Sequence, residues 1–441
     1  MTGTHITPRP VAAGWLFLAI ILLVPLPLGA ARPWSAAVLT IALAVTMLIW
    51  SGKWLSGSDK RPAGSRLLMI PLLLMGAALL WGFAQTLPIL PDNWTHPLWR
   101  EAETVLGPLS RTVSLTPVAG REAIMRFLAY AMAFLLAYWL GRDRHFAWLL
   151  ICAMAAAAAV YGAYGLFNVL SGAEKIGWME KSAYRGMVTG SFVNANHFAT
   201  LMGIGLLCTI ACLNRGTRDE EGGGRRASVW LWRGILVVIL AALAMTHSRG
   251  GAIATTMGTL FLLLTVAWRA HDRRIGWAIV VVLAVLALSL AALGDHLSQS
   301  WSEAAADRFE LYDLTADLIS QRPFSGAGLG SFMDVFATIR PVGMVQTWNA
   351  AHNVYLELAL ELGLPAALAW LTGLIWLVCR SFHGLAHRRR TWLICALSFS
   401  TSVLIGAHSL VDFSTQIPAV SVWWSVLLGL GVSLSRSTTQ D

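Results

Sequence analysis

Charge is what this chain has least of. Asp, Glu, Lys and Arg make up 12% of its 441 residues, against 56% hydrophobic, and a soluble domain carries about twice that charged share. With a mean hydropathy of +0.63, the chain is not organised as one globular core in water. Hydropathy is then the frame for reading it, because a helix that crosses hydrocarbon needs roughly 20 apolar residues. Cysteine is scarce as well. Cys152, Cys208, Cys212, Cys379 and Cys395 all fall inside or at the ends of apolar runs, with no CxxC spacing and no pair in one loop, which argues against structural disulfides and zinc. No internal repeat of the kind found in transporters is visible. The net charge of +9 comes from basic residues dispersed through short loops. That is the footprint of membrane topology and not of a nucleic-acid surface.

What remains is a succession of apolar runs. They predict spans near 11–29, 34–50, 67–87, 122–140, 146–170, 192–213, 229–246, 250–268, 275–293, 362–380, 392–411 and 420–435. The first run is followed by Gly29-Ala30-Ala31, a faint cleavage signature. Its basic lead is weak and a second span follows at once, so it is read as a retained helix. Short basic loops (Lys53 to Arg66, Arg142 and Arg144, Arg215 to Arg226, Arg269 to Arg274, Arg380 to Arg390) all share one parity, and the positive-inside rule makes that side the cytoplasm, together with both termini. Longer, nearly charge-balanced loops at 88–121, 171–191 and 294–361 fall on the opposite face. The expected fold is an all-α polytopic membrane protein of about twelve transmembrane helices, one integral membrane domain over 1–441. A large extracytoplasmic loop, 294–361, separates spans nine and ten.

That loop reads in three parts: an amphipathic run from Ala306 to Ile319 containing Arg308, a glycine turn from Arg322 to Phe332, and Ala351-His-Asn-Val-Tyr-Leu-Glu357, which leads into the tenth span. Ionisable groups are costly in hydrocarbon, and apart from Arg126 in the fourth span they collect at the extracytoplasmic ends. Arg185 precedes the sixth span, which opens on Asn194-Ala-Asn196-His197. Arg249 sits at the tip between spans seven and eight. His352, Asn353, Glu357 and Glu361 lead into span ten, and His408 and Asp412, four apart and on one helical face, end span eleven. Five polar groups at one membrane face predict one shared site.

Each has a plainer reading. An interfacial arginine usually snorkels to lipid headgroups, which applies to Arg249 and more strongly to Arg322. Asn194 and Asn196 suit a helix N-cap, and His352 suits a neutral, hydrogen-bonded helix start. Gly326, Gly328 and Gly330 follow a helix and not a strand, which argues against a nucleotide loop. A backbone bend offering N–H groups to an anion stays open.

In order along the chain stand Arg-Gly-x-x-x-Gly-x-Phe-x-Asn-x-Asn-His, Ser-Arg-Gly-Gly, Arg-Pro-x-x-Gly-x-Gly-x-Gly-x-Phe, Ala-His-Asn-x-Tyr-Leu-Glu-x-x-x-Glu-x-Gly and His-Ser-Leu-Val-Asp-Phe. Together, from about Ser114 to the C-terminus, they resemble the O-antigen ligase-like family, which includes O-antigen and exopolysaccharide polymerases and protein O-oligosaccharyltransferases. One departure is Ala195, where the family commonly has proline, which alters the geometry at the start of span six without removing a polar group. The resemblance implies a GT-C-type helical fold in the bacterial inner membrane and transfer of a glycan from undecaprenyl diphosphate to an acceptor hydroxyl at the periplasmic face. It also implies inversion at the anomeric carbon, with no metal and no cofactor. The donor would be a lipid-linked oligosaccharide and the acceptor lipid A core (a ligase) or another glycan (a polymerase).

By the same resemblance, Arg185 and Arg249 face the lipid diphosphate and His352 is the base. Arg308, Arg322, Asn194, Asn196, Asn353, Glu357, His408 and Asp412 stand as possible support. The chemistry is coherent. Guanidiniums match phosphate geometry and stay ionised, and an imidazole can take the acceptor proton near neutral pH. Two other classes compete: a lipid-linked sugar flippase, which would bind near mid-bilayer with broken helices, and a structural envelope subunit. Polar groups gathered at one face favour the enzyme.

Overall fold

In a computed structural model the chain is helical almost throughout, and the structure describes residues 12–55, 65–219, 223–270, 298–344 and 348–436. Three apolar helices are short: α1 (Ala12–Leu23), α14 (Trp392–His408) and α15 (Pro418–Leu434). Among the described residues, eight are long and apolar enough to cross a membrane. These are α2 (Pro33–Leu55), α3 (Ser65–Ala84), α5 (Pro117–Leu140), α6 (Arg144–Leu170), α7 (Ala195–Asp219), α8 (Gly223–Ala244), α9 (Arg249–Ala270) and α13 (Leu364–His387). Further helices fill the polar loops: the short α4 (Leu98–Leu106), α11 (Phe332–Ala337) and α12 (Val354–Leu362), and the longer, more polar α10 (Ser298–Gln321). A two-stranded antiparallel ribbon, β1 (Lys175–Ile176) with β2 (Met179–Glu180), follows α6.

Every expected span except 275–293 coincides with one of these helices, and 275–293 lies outside the described residues. Two boundaries differ for physical reasons. The first run stops at Leu23, not at residue 29, because Pro25 and Pro27 lack the N–H a helix needs, and the chain closes in a 3-10 turn, Leu28–Ala30. The tenth span does not grow straight out of the Ala351–Leu362 segment. Gly363, at φ 78°, breaks the chain into α12 and α13, a conformation glycine adopts without steric cost.

α7 is the centre of the bundle: 89% of its apolar window is buried, against 22% for α3 and α13. It packs on α6, α8, α9 and α14, while α15 packs on α5 and α14 on α9 and α15. Small residues allow these close crossings, as expected where lipid removes the hydrophobic drive between helices. A Cβ on Gly205 would meet Ala158 at 2.2 Å, and one on Gly431 would meet Ser398 at 2.3 Å. The amphipathic run forms α10, which buries Leu311, Thr315 and Leu318 at helical spacing beside Phe332, Val335 and Phe336 of α11. The polar segments thereby gain a small core of their own, which fixes the loop above the bundle end.

Candidate active site

Three local structures place the polar side chains. At the start of α7, Asn194 Oδ1 accepts the Asn196 amide at 2.8 Å, so Asn194 is the helix cap and Asn196 contributes its backbone. One turn later the buried helix presents His197 and Thr200. At the start of α12, Asn353 Oδ1 accepts the amides of Tyr355 and Leu356 at 3.1 and 3.2 Å. Asn353, and not His352, is the cap. His352 just before it has φ 49°, a left-handed conformation uncommon outside glycine but less so for Asn, Asp and His. The Tyr312 hydroxyl of α10 donates to His352 O at 3.0 Å and Leu410 O at 3.3 Å, latching the loop onto the turn after α14. That turn carries Asp412.

Asp412 is the hub. Its carboxylate is 3.6 Å from His352 Nδ1, 3.6 Å from His408 Nε2 and 3.8 Å from His197 Nε2. These are ion-pair contacts slightly too long for hydrogen bonds. Shorter donors complete the shell: the Phe413 amide at 2.8 Å and the Ser414 hydroxyl at 3.1 Å. Burial alone would raise this carboxyl, but the contact with His352 and the fields of His197 and His408 outweigh it and hold it below the usual carboxylate range. Thr200 Oγ1 lies 2.7 Å from His408 Nδ1. A hydroxyl donated there leaves the Nε2–H tautomer facing Asp412. The His352 ring stands edge-to-face between Trp348 and Phe413, with centroids 5.3 and 4.9 Å away. Its side chain keeps 18% exposure where Asp412 has 2%. The cluster therefore has one accessible imidazole backed by a buried acid. Among the described residues no group of three or more His, Cys, Asp or Glu has metal-holding geometry.

The arginines sort into two sets. Gly250, next to Arg249 at the start of α9, sits against the His408 imidazole, where a Cβ would meet Nε2 at 3.2 Å. The Val188 amide donates to Met245 O at 2.8 Å, stitching the Arg185 segment to the turn that ends in Arg249. Arg185 itself is exposed, its Nε donating to Lys181 O at 3.1 Å. Tyr184, beside it, is raised by burial and by the Asp412 carboxylate and lowered by Arg308, so Arg308 and this loop share the field of the cluster. Tyr184, His247 and His352 all have positive φ, and such strain collects at functional sites. Arg322 belongs elsewhere. Its guanidinium donates to Trp94 O, to Thr95 O and to Ser325 Oγ, tying the loop before α4 to the glycine turn.

The glycine turn itself packs and does not bind. Ala327 and Gly328 amides donate to Leu360 O and Glu361 O at 2.9 and 3.0 Å, and the Leu329 amide goes to Gln85 Oε1 at 3.2 Å. A Cβ on Gly328 would lie 2.3 Å from Ser114 Oγ. These N–H groups are taken, so the bend offers no nest for an anion. Glu357 braces the site from behind: Oε2 accepts the Ala351 amide at 2.9 Å and Oε1 accepts Gln416 Nε2 at 2.6 Å. Burial pushes its carboxyl up. His197, Thr200, Tyr312, Ser414 and Gln416 were not among the sequence candidates. The His197 position was signalled by its motif, but hydroxyls of this kind carry no pattern of their own.

The fold and this cluster define a polytopic membrane protein with a histidine–carboxylate site at one end of its bundle. Residues 234–371 match the family model for O-antigen ligase, and this match over part of the chain supports an O-antigen ligase-like family. The matched segment contains Arg249, Arg308, Arg322, His352, Asn353 and Glu357. Arg185, Asn194, Asn196, His408 and Asp412 lie outside it. No curated protein matches the chain.

Proposed function

We propose that this protein transfers a glycan from undecaprenyl diphosphate to an acceptor hydroxyl at the periplasmic face of the inner membrane, as an O-antigen ligase. The observation that carries the reading is His352, accessible at its ring and backed by Asp412 at 3.6 Å. With Nδ1 directed at the carboxylate, Nε2 is the free ring nitrogen. It takes the acceptor proton as the acceptor oxygen bonds to the anomeric carbon. The bond from that carbon to phosphate oxygen breaks on the opposite face, and its electron pair leaves with undecaprenyl diphosphate. One-step displacement of this kind inverts the anomeric centre.

Arg185 and Arg249, supported by Arg308, stabilise the diphosphate charge as it develops. Guanidiniums match phosphate geometry and stay ionised, which suits them to that task, and the reaction needs no metal. Asp412 is a positioning residue: it holds the imidazole in its tautomer and stabilises the imidazolium that forms. His197 and His408 fix the carboxylate in turn. The test supplies purified protein with an undecaprenyl diphosphate-linked oligosaccharide and lipid A core. It should form glycosylated core and undecaprenyl diphosphate in equal amounts. Elongated lipid-linked glycan in place of glycosylated core would make the protein a polymerase, and unchanged donor would refute the transferase reading.

A further inference from the structure

A second feature lies behind α12, away from His352 and Asp412. A cavity of about 570 Å³ opens among α3, α5, α13, α14 and α15, within the size of small-molecule sites, about 300–1,000 Å³. Its walls are hydrocarbon, from Leu79, Phe127, Leu374 and Trp424. It follows α3 from Leu72 to Leu79 and α13 from Trp370 to Val378, about 12 Å along the latter at 1.5 Å per residue. That is most of one leaflet of a hydrocarbon core about 30 Å thick. The position suits lipid too: α3 and α13 are 22% buried and α5 is 39% buried, so the cavity lies on the bundle's lipid-facing flank and not at the α7 centre.

One cation lines it. Arg126 belongs to α5, inside a candidate membrane span, where an ionisable residue marks function by default. Among the described residues Arg126 has no hydrogen-bond or ion-pair partner. Glu361 feels its charge but bonds the Phe332 amide, through Oε1 at 3.1 Å, and Glu357 holds Ala351 and Gln416. A guanidinium that makes no hydrogen bond of its own, at the polar end of a hydrocarbon slot, suits an anion attached to a hydrocarbon chain. We propose that this cavity binds one anionic lipid, its chain along α3 and α13 and its headgroup on Arg126. The cavity shares Glu357 and Gln416 with the rear of the histidine cluster, while Arg126, its headgroup residue, has no part in the transfer chemistry.

Native mass spectrometry of the full-length protein, titrated with undecaprenyl phosphate, phosphatidylglycerol and phosphatidylcholine, tests this. Wild type should retain one anionic lipid about tenfold more tightly than phosphatidylcholine, as expected for a charge-assisted contact. Preference between the two anionic lipids tells a polyprenyl chain from an acyl chain. Arg126→Gln should erase the headgroup preference, and Arg126→Lys should restore part of it. Gly76→Phe, at a lining position where a Cβ meets nothing within 4 Å, should displace both anionic lipids, and Leu374→Trp should do the same from the facing wall. Equal headgroup preference in wild type and Arg126→Gln, or undiminished retention in the filled variants, would overturn the proposal. Transfer activity decides neither result, so the two readings fail separately.

Discussion

His352 Nδ1 lies 3.6 Å from Asp412 Oδ1, and the acid that meets it is itself buried among His197, His408, Phe413 and Ser414. The pair joins the polar loop to the end of α14, two segments sixty residues apart by number. Orientation of the imidazole therefore rests on Asp412. Asp412→Asn keeps the shape but offers no charge to an imidazolium, so transfer should fall by about 10²-fold or more with donor KM little changed. A purely structural role would instead lower yield and melting temperature together. Stability provides the second readout. A carboxyl held below its usual range adds stability that is present above about pH 3.9 and lost as pH falls through its folded value. Wild type should thus lose more stability than Asp412→Asn on acidification, and parallel melting curves would contradict the assignment.

The buried pair on α12 titrates in the opposite sense. Burial raises Glu357, and burial with the Glu357 charge raises Glu361. A raised carboxyl contributes stability that is complete below the ordinary glutamate value, about pH 4.3, and lost as pH climbs through the folded value. Melting temperature should decline from mildly acidic to alkaline pH, and Glu361→Gln should flatten that decline. A slope unchanged by the substitution would place the titration elsewhere.

Sidedness is checked by thiol labelling. Ser182 is exposed in the loop with Arg185, and Ser228 lies near the start of α8, at the other end of the bundle. On intact spheroplasts an impermeant maleimide should label Ser182→Cys and spare Ser228→Cys. The reverse pattern would put the histidine cluster in the cytoplasm, where the proposed donor is not presented.

The helical elements were legible because an apolar run of span length has one physical outcome, and the amphipathic run from Ala306 predicted α10 by its period. His408 and Asp412 were legible as a pair through their four-residue spacing. What was hidden depended on distance in space. Nothing in the sequence says that Thr200 on α7 reaches His408, or that Tyr312 spans from α10 to the His352 carbonyl. The glycine turn stayed open in the sequence for a different reason. Gly326, Gly328 and Gly330 do take positive φ, but sequence cannot tell a bend that admits a ligand from one that admits Ser114 and the α12 backbone. Arg322 beside it is an interfacial arginine like Arg249, and its bonds to the Trp94 and Thr95 carbonyls are visible only in the fold.

That separation is testable. Arg249→Lys keeps a charge but loses the planar fork, so transfer should drop by at least about tenfold, the cost of one lost charge-assisted bond. Arg322→Ala should act on stability instead. It orphans the Trp94 and Thr95 carbonyls, costing about 1–3 kcal/mol of stability, while the folded fraction still transfers glycan. If Arg249→Ala retains the wild-type rate, Arg249 is a headgroup anchor only.

The decisive substitution is His352→Asn. Position 352 has φ 49°, and Asn is among the few residues besides glycine that tolerate the left-handed region, so this variant fits the backbone where Val or Leu would not. It also leaves the Asn353 cap of α12 intact. Packing against Trp348 and Phe413 shrinks but no buried charge is created, since Asp412 keeps its Phe413 amide and Ser414 hydroxyl. The variant should insert and melt close to wild type. An amide does not accept a proton near neutral pH, and losing a general base costs about 10²–10⁴ in rate. Transfer should therefore fall by at least about two orders of magnitude, measured as glycosylated acceptor per mole of folded protein. Wild-type transfer should be unaffected by EDTA if guanidiniums carry the diphosphate charge. Near-full activity in His352→Asn would return this residue to a structural role, and a chelator-sensitive wild type would require a cation that the arginine mechanism leaves out.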